Sequence, residues 1–396
     1  MSDKVISFIQ PSRNNLKYLE WSYNSIRKNL GYRHEIMFGD DFSDDGTWEW
    51  LEEIQKKDPN VQIFRNNGPE RKGIVYWYDF LCEKASNEIV MFFHADMYAC
   101  PNMDEEILKH LEKGKVVTAT RIEPSLHPDG PEKILKDFGI EPEEFDELGL
   151  LEFAKSCEDK TTEGIFAPWA IYKEDYWKTG GHDKLFAPQS KEDSDIFNRF
   201  HLLGLEFIQT WRGLVYHMTS RGSRFNPSSG GAPGKDSPEW IHTTTKNMRN
   251  FIRKWGTPVQ HDQHMKPIVS HKYDIGFVAR RCNMHLLRQL EPWCNMIYLD
   301  TGSDYMHDYV MEEQPNTEYN LDEKIKLYGW TKPEDLKHDI VVDFEADKLN
   351  GENFQIITNL ANIITDSAEI GMMEFDIFRF HIKSLNTYEK DLILVK

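Results

Sequence analysis

The stretch EIVMFFHAD, residues 88–96, runs apolar from Ile89 to Phe93 and then stops on a histidine and an aspartate two positions apart. A short apolar run of this kind reads as a buried strand, so His94 and Asp96 fall at its carboxyl end. Two side chains able to ligate a metal there mark the wall of a site; two polar residues closing a strand are the plainer alternative.

The segments around this strand repeat its pattern. VISFIQ (5–10), HEIMFGDD (34–41), VQIFRN (61–66) and KVVTATRIE (115–123) read as further strands. Helical segments are expected between them at Asn14–Leu30, TWEWLEEIQKK (47–57), Tyr76–Lys84 and Asp104–Leu111. Strands alternating with helices predict an α/β fold with a mostly parallel, Rossmann-like sheet. Such sheets bind ligands beyond the carboxyl ends of their strands. Asp40, Asp41, His94 and Asp96 all stand at such ends.

Farther on, residues 128–160 are acidic and helix-prone, and read as an insertion covering one side of the sheet. GIFAPWAIY (164–172), a helix near 191–203 and EFIQTWRGLVYHM (206–218) resume the pattern. TSRGSRFNPSSGGAPGKDSP (219–238) is dense in Gly, Ser and Pro, the composition of a mobile, lid-forming loop. After a helix at 246–256, a second, smaller α/β unit is expected over 265–396. It carries KYDIGFVAR, a helix near 283–290, CNMIYLD, DIVVDF, a helix near 353–364, GMMEFDIFRFHI and DLILV. Two domains also suit a chain of 396 residues.

Bulk properties exclude some classes. A formal net charge of −19 weighs against nucleic acid as a partner. No run approaches the roughly 18 apolar residues of a membrane span. MSDKVISFIQ has no apolar core behind a basic start, so it is not read as a secretory signal. The five cysteines are scattered, without CxxC pairs, and fit reduced thiols. The expected location is the cytoplasm.

Several motifs carry chemistry only in combination. DDFSDDGT (40–47) follows the second strand, HAD closes the fourth, GGHDKLF (180–186) precedes KEDSDIFNRF (191–200), VYH (215–217) ends a strand, and NMRNFIRKWG (247–256) follows the loop. Taken together and in this order, residues 4–256 resemble the family 2 glycosyltransferases of GT-A fold. The resemblance implies an inverting, metal-dependent hexosyltransferase that moves a sugar from a nucleotide-diphosphate donor, UDP-sugar favoured, to an acceptor hydroxyl. HAD stands where the family has its DxD-type motif, which implies Asp96 as metal ligand with His217 completing the site. His94 replaces the usual carboxylate. An imidazole there either ligates the metal, favouring Mn²⁺ over Mg²⁺, or hydrogen-bonds the phosphate, and Ala95 lies between the two.

The family's ED motif matches Glu192 and Asp193, implying Asp193 as the base that takes the acceptor's proton and Glu192 as the residue orienting the acceptor. Pro11, Ser12 and Arg13 stand where the family contacts the base, and Asp41, or its neighbour Asp40, matches the carboxylate that binds uracil or ribose. Arg71, Lys72 and Gly73 precede a helix and are read as contacts to base or phosphate. Arg221 and Arg224 in the loop are expected to close over the diphosphate. Lys246, Arg249, Arg253 and Lys254 form a basic stripe, read mostly as a solvated face. Trp169 falls on the family's acceptor side, a core tryptophan being the alternative. The acceptor stays open among glycan, protein, lipid-linked sugar and modified base. The competing readings are a GT-A-like binding module without catalysis and a nucleotidyltransferase; the latter lacks its Gly-rich loop. For the second unit, acceptor binding, docking and self-association into a homo-oligomer are the roles left open.

Overall fold

The computed structural model describes residues 4–300, 303–329 and 332–394. The first three residues of MSDKVISFIQ and the final valine of DLILV lie outside them. The chain forms two compact units, residues 1–244 with 261–268 and 394–396, and residues 245–260 with 269–393.

The first unit opens with β1 (Ile6–Ser12), α1 (Leu16–Asn29), β2 (Glu35–Asp40), α2 (Thr47–Lys57), β3 (Val61–Arg65), α3 (Gly73–Lys84) and β4 (Ile89–Phe92). It continues with β5 (Met97–Ala99), α4 (Met103–His110), β6 (Lys115–Glu123), β7 (Lys133–Leu135), α5 (Glu147–Lys155), β8 (Thr161–Thr162), β9 (Trp169–Tyr172), α6 (Lys173–Lys178), α7 (Glu192–Leu202) and β10 (Glu206–His217). The strand order is β3-β2-β1-β4-β9-β6-β10-β5, with β7 beside β6 and β8 beside β10. β1, β2, β3 and β4 are mutually parallel, β9 runs against both β4 and β6, and β10 is parallel to β6. The carboxyl ends of β1, β2, β4, β6 and β10 therefore share one sheet edge. The central strands are apolar along their whole length because helices cover both faces: Phe8, Ile36, Phe38, Met91 and Val117 are fully buried.

Three expectations change here. The strand through residues 88–96 stops at Phe92, because Asp96 must turn back for β5 to pair Met97 with His217 on β10. The region 128–160 is not helical throughout: β7 extends the sheet beside β6, and Phe138, Phe145, Leu150 and Phe153 form a small core with Tyr18, Tyr98 and Tyr216. The helix after the loop begins early: α8 (Pro238–Trp255) starts eight residues before the expected one, and within the loop Ser237 N–H donates to Arg224 O at 2.9 Å.

The second unit holds β11 (Ile275–Arg280), α9 (Met284–Leu290), β12 (Met296–Leu299), α10 (Ser303–Glu313), α11 (Leu321–Lys324), β13 (Ile325–Leu327), β14 (Ile340–Glu345), α12 (Phe354–Thr358), α13 (Leu360–Ser367), β15 (Gly371–Phe375) and β16 (Phe378–Ile382). Its sheet order is β13-β12-β11-β14-β16-β15, with its own apolar core around Phe277, Ile297, Val342 and Phe380. The described residues of DLILV form no strand: the first of them close a 3-10 turn, Glu389–Leu392. The boundary differs from the expected one because the basic stripe belongs to this unit. Arg253 donates to Glu291 at 2.6 Å and Arg249 to Glu313 at 2.7 Å, both inside it. Arg253 and Lys254 are buried, so the stripe is not a solvated face.

Candidate functional site

A cavity of about 330 Å³ opens at the shared carboxyl edge of the first sheet. Its walls include Pro11, Ser12 and Arg13 after β1, Asp41 after β2, His94, Ala95 and Asp96 after β4, and His217 at the end of β10. Backbone bonds fix the HAD turn. Phe93 N–H donates to Ile9 O at 3.0 Å, Gln10 Nε2 to His94 O at 3.0 Å, and Met218 N–H to Asp96 O at 2.9 Å.

His94, Asp96 and His217 each offer one ligand atom, and these atoms lie within 4.8 Å of one another. Asp96 Oδ2 accepts the Arg221 backbone N–H at 2.6 Å. His217 Nε2 sits 3.3 Å from Asp96 Oδ1, yet it is buried without a hydrogen-bond partner. The other ring nitrogen, Nδ1, is 2.7 Å from Glu123 Oε1. A carboxylate on one imidazole nitrogen leaves the other free as a metal ligand. Burial lowers the His94 pKa to about 4, favouring the neutral ligand form. Burial also works against charge on Asp96 and His217, but each outweighs it for the other: Asp96 is held below the carboxylate range and His217 is raised to about 9. This donor set, two imidazoles and a carboxylate around an orphaned nitrogen, fits a divalent cation such as Mn²⁺.

Glu123 is itself fully buried and held by Arg121 at 3.2 Å and Lys133 at 3.2 Å. Arg121 reaches Glu132 at 2.7 Å and lies over the Phe166 ring at 3.7 Å. Burial would raise the Glu123 pKa, but these cations and His217 hold it well below the ordinary range. This ladder was missed in the sequence, although RIE closes a strand at the same edge as HAD and the strand-end rule would have found Glu123.

Glu192 and Asp193 line the same cavity from the first turn of α7. Both pKa values are raised, first by burial, and for Glu192 also by the charge of Asp193; His182 and Arg121 pull Asp193 the other way. The helix enters through two left-handed residues, Ser190 (φ 77°) and Lys191 (φ 71°). Non-glycine residues in that region cost energy and cluster at functional sites.

The remaining residues divide. Arg13, Arg71, Gly73 and Arg224 line the cavity; Arg71 pairs with Glu239, and Arg224 with Asp236. Asp41 also lines it, but its carboxylate accepts Asn66 Nδ2 at 2.9 Å, Lys72 N–H at 2.9 Å and Gly73 N–H at 2.8 Å. Four expected contacts fall elsewhere. Asp40 is buried against Ser43 N–H and Arg65. Lys72 turns its ammonium over the Tyr76 ring at 5.2 Å. The Arg221 guanidinium is buried and bonds Ile140 O, so it cannot close over a diphosphate from there; its backbone, not its side chain, serves the site. Trp169 is fully buried and stacked on Phe92 with centroids 4.1 Å apart, a core residue and no acceptor platform. Tyr78, Phe166, Gln189 and Trp240 line the cavity without having been expected.

The sequence pattern of the family described as glycosyl transferase family 2 matches residues 7–174. No curated protein matches the sequence significantly. Solved structures to which the chain shows similarity include GalNAc-T7 with UDP, GalNAc and Mn²⁺, at 14% identity and TM-score 0.46, covering 64% of this chain and 51% of that one. The S. aureus TarS 1-349 structure follows at 15% identity and TM-score 0.40, covering 55% and 61%. The mannosyltransferase PcManGT from Pyrobaculum calidifontis, in complex with GDP-Man and Mn²⁺, stands at 17% and 0.38, covering 54% and 56%. The match thus spans between about half and three fifths of the length of these proteins.

Proposed function

We propose that this protein, whose residues 7–174 match the pattern of glycosyl transferase family 2, moves a sugar from a nucleoside-diphosphate donor, UDP before GDP, to an acceptor hydroxyl with inversion. The observation that carries the reading is that three residues able to ligate a cation and a pair of carboxylates share one cavity. His94, Asp96 and His217 would hold Mn²⁺ or Mg²⁺, which when bound supplies a Lewis acid for the leaving diphosphate. Glu123 keeps Nε2 of His217 free for that task. Asp193 accepts the acceptor hydroxyl's proton as the new bond to the anomeric carbon forms. Its raised pKa makes it a better base than an exposed carboxylate. Glu192, beside it, orients the acceptor, and the charge between the two keeps one of them protonated at a time. A base on the face opposite the leaving group is what gives inversion.

The test is release of free UDP or GDP from UDP-glucose, UDP-galactose, UDP-GlcNAc and GDP-mannose in the presence of Mn²⁺. Asp96→Ala and Asp193→Asn are expected to abolish turnover. Full activity in Asp193→Asn would overturn the mechanism. Nucleotide binding without any turnover in the parent would favour the catalytically silent sugar-nucleotide module instead.

A further inference from the structure

We propose that the Tyr78 hydroxyl hydrogen-bonds the transferred sugar and selects an uncharged one, an inference that rests on the glycosyltransfer reading above. Tyr78 stands on α3 and is 1% exposed, yet it lines the cavity. Its ring cannot swing away. Phe92 packs edge-on at 5.0 Å and 88°, and the His182 ring lies 5.2 Å from it. Among the described residues nothing accepts from or donates to its hydroxyl. A tyrosine with a buried ring normally finds a partner for its O–H, and here the open side is the cavity.

The position of the phenol gives that partner its identity. Burial, then the charges of Asp193, Glu192 and Asp96, push its pKa well above 10, so the group keeps its proton and is available as a donor. Those same residues are the proton-accepting pair and a cation ligand. In a displacement with nucleophile and leaving group in line, the sugar lies between the base and the departing diphosphate. Tyr78 is an unpartnered donor within electrostatic reach of both. A sugar hydroxyl or acetamido oxygen would satisfy it. A uronic acid would bring a further carboxylate toward Asp96 and the one charge that Asp193 and Glu192 share, and like charges in a buried site repel strongly.

Tyr78→Phe removes only the hydroxyl. Because that atom has no protein partner, the melting temperature is expected to stay unchanged. Calorimetry with Mn²⁺ present then compares the best-bound of the four sugar nucleotides with its parent nucleoside diphosphate. The phenylalanine variant should keep the nucleoside diphosphate affinity within about twofold and lose about tenfold on the sugar nucleotide, in affinity or in kcat/KM, the size expected for one lost hydrogen bond. The inference fails if the sugar nucleotide is retained within twofold, or if both ligands weaken together. It also fails if the parent binds UDP-glucuronate more tightly than UDP-glucose. A parent protein that binds neither UDP nor GDP with Mn²⁺ overturns the glycosyltransfer reading itself, and this inference with it.

Discussion

His217 offers a single nitrogen to the cavity because Glu123 already occupies the other at 2.7 Å. Removing that carboxylate frees the ring to rotate, takes away the Lys133 ion pair and leaves Arg121 with Glu132 alone. Glu123→Ala should therefore weaken Mn²⁺ binding by about 10–100-fold, measured calorimetrically without nucleotide. Glu123→Gln, which keeps the shape and one acceptor oxygen, should lose less; equal Mn²⁺ affinity in all three proteins would deny Glu123 a positioning role. The base makes a second prediction. As the proposed base Asp193 would work deprotonated; its pKa is raised and Glu192 shares the shift, so activity is expected to rise with pH through the apparent pKa of the pair. The acidic limb of kcat/KM should lie above the ordinary carboxylate value of about 4. A limb at that value would remove Asp193 from the reaction. HAD was legible because ligating side chains ended an apolar run at a strand's end, and KEDSD because it matched the ED motif of the family that the sequence resembles. Trp169 was not, since an aromatic in APWAIY reads the same whether it faces a sugar or Phe92. As a core residue it predicts that Trp169→Ala costs about 3–5 kcal/mol in urea unfolding, with bound and free enzyme affected alike.

At the scale of elements, the approach of α3 to the segment before α7 organises the site. Gly73 begins α3 at φ +80°, and a Cβ there would lie 2.4 Å from Pro188 Cβ and 2.5 Å from Pro188 O. Ile74 N–H donates to that same carbonyl at 2.8 Å, so the turn carrying Glu192 and Asp193 rests on the first turn of α3. Gly73→Ala should destabilise the protein by about 1–3 kcal/mol, from the left-handed backbone and the clash together, and should lower turnover by displacing α7. An alanine variant as stable as the parent would show that the contact yields freely. The run RKG was read for its charges, and the structure gives the glycine a packing role that charge patterning does not reveal. Helix and strand order through β6 was legible because period and turn residues agree there. The reversal of β9 was not: an apolar run such as WAIY has no mark of direction, and only its pairing with β4 and β6 decides it.

Across the whole molecule, two apolar cores and two sheets were readable from the restart of strand patterning after residue 256, but the dividing point was not. α8 has one continuous helical pattern, and which unit its arginines serve depends on Glu291 and Glu313, far along the chain. No described helix is long and apolar enough to cross a membrane, and all residues assigned to the site fall within the first unit. That confinement sets the last prediction. A nucleotide and cation that bind only the native protein stabilise it by mass action, about 2.7 kcal/mol at a hundredfold excess over Kd. Backbone hydrogen exchange should register that gain where the ligand sits. With UDP and Mn²⁺, protection is expected to rise around residues 11–15, 71–74, 93–97 and 217–224, and chelation of the cation should reverse it. The strands β11 to β16 carry no site residue, so their exchange should be the same with and without ligand. Equal slowing of both sheets would mean that the carboxyl edge of β1, β2, β4, β6 and β10 does not hold the nucleotide alone, and that the second unit contributes to binding it.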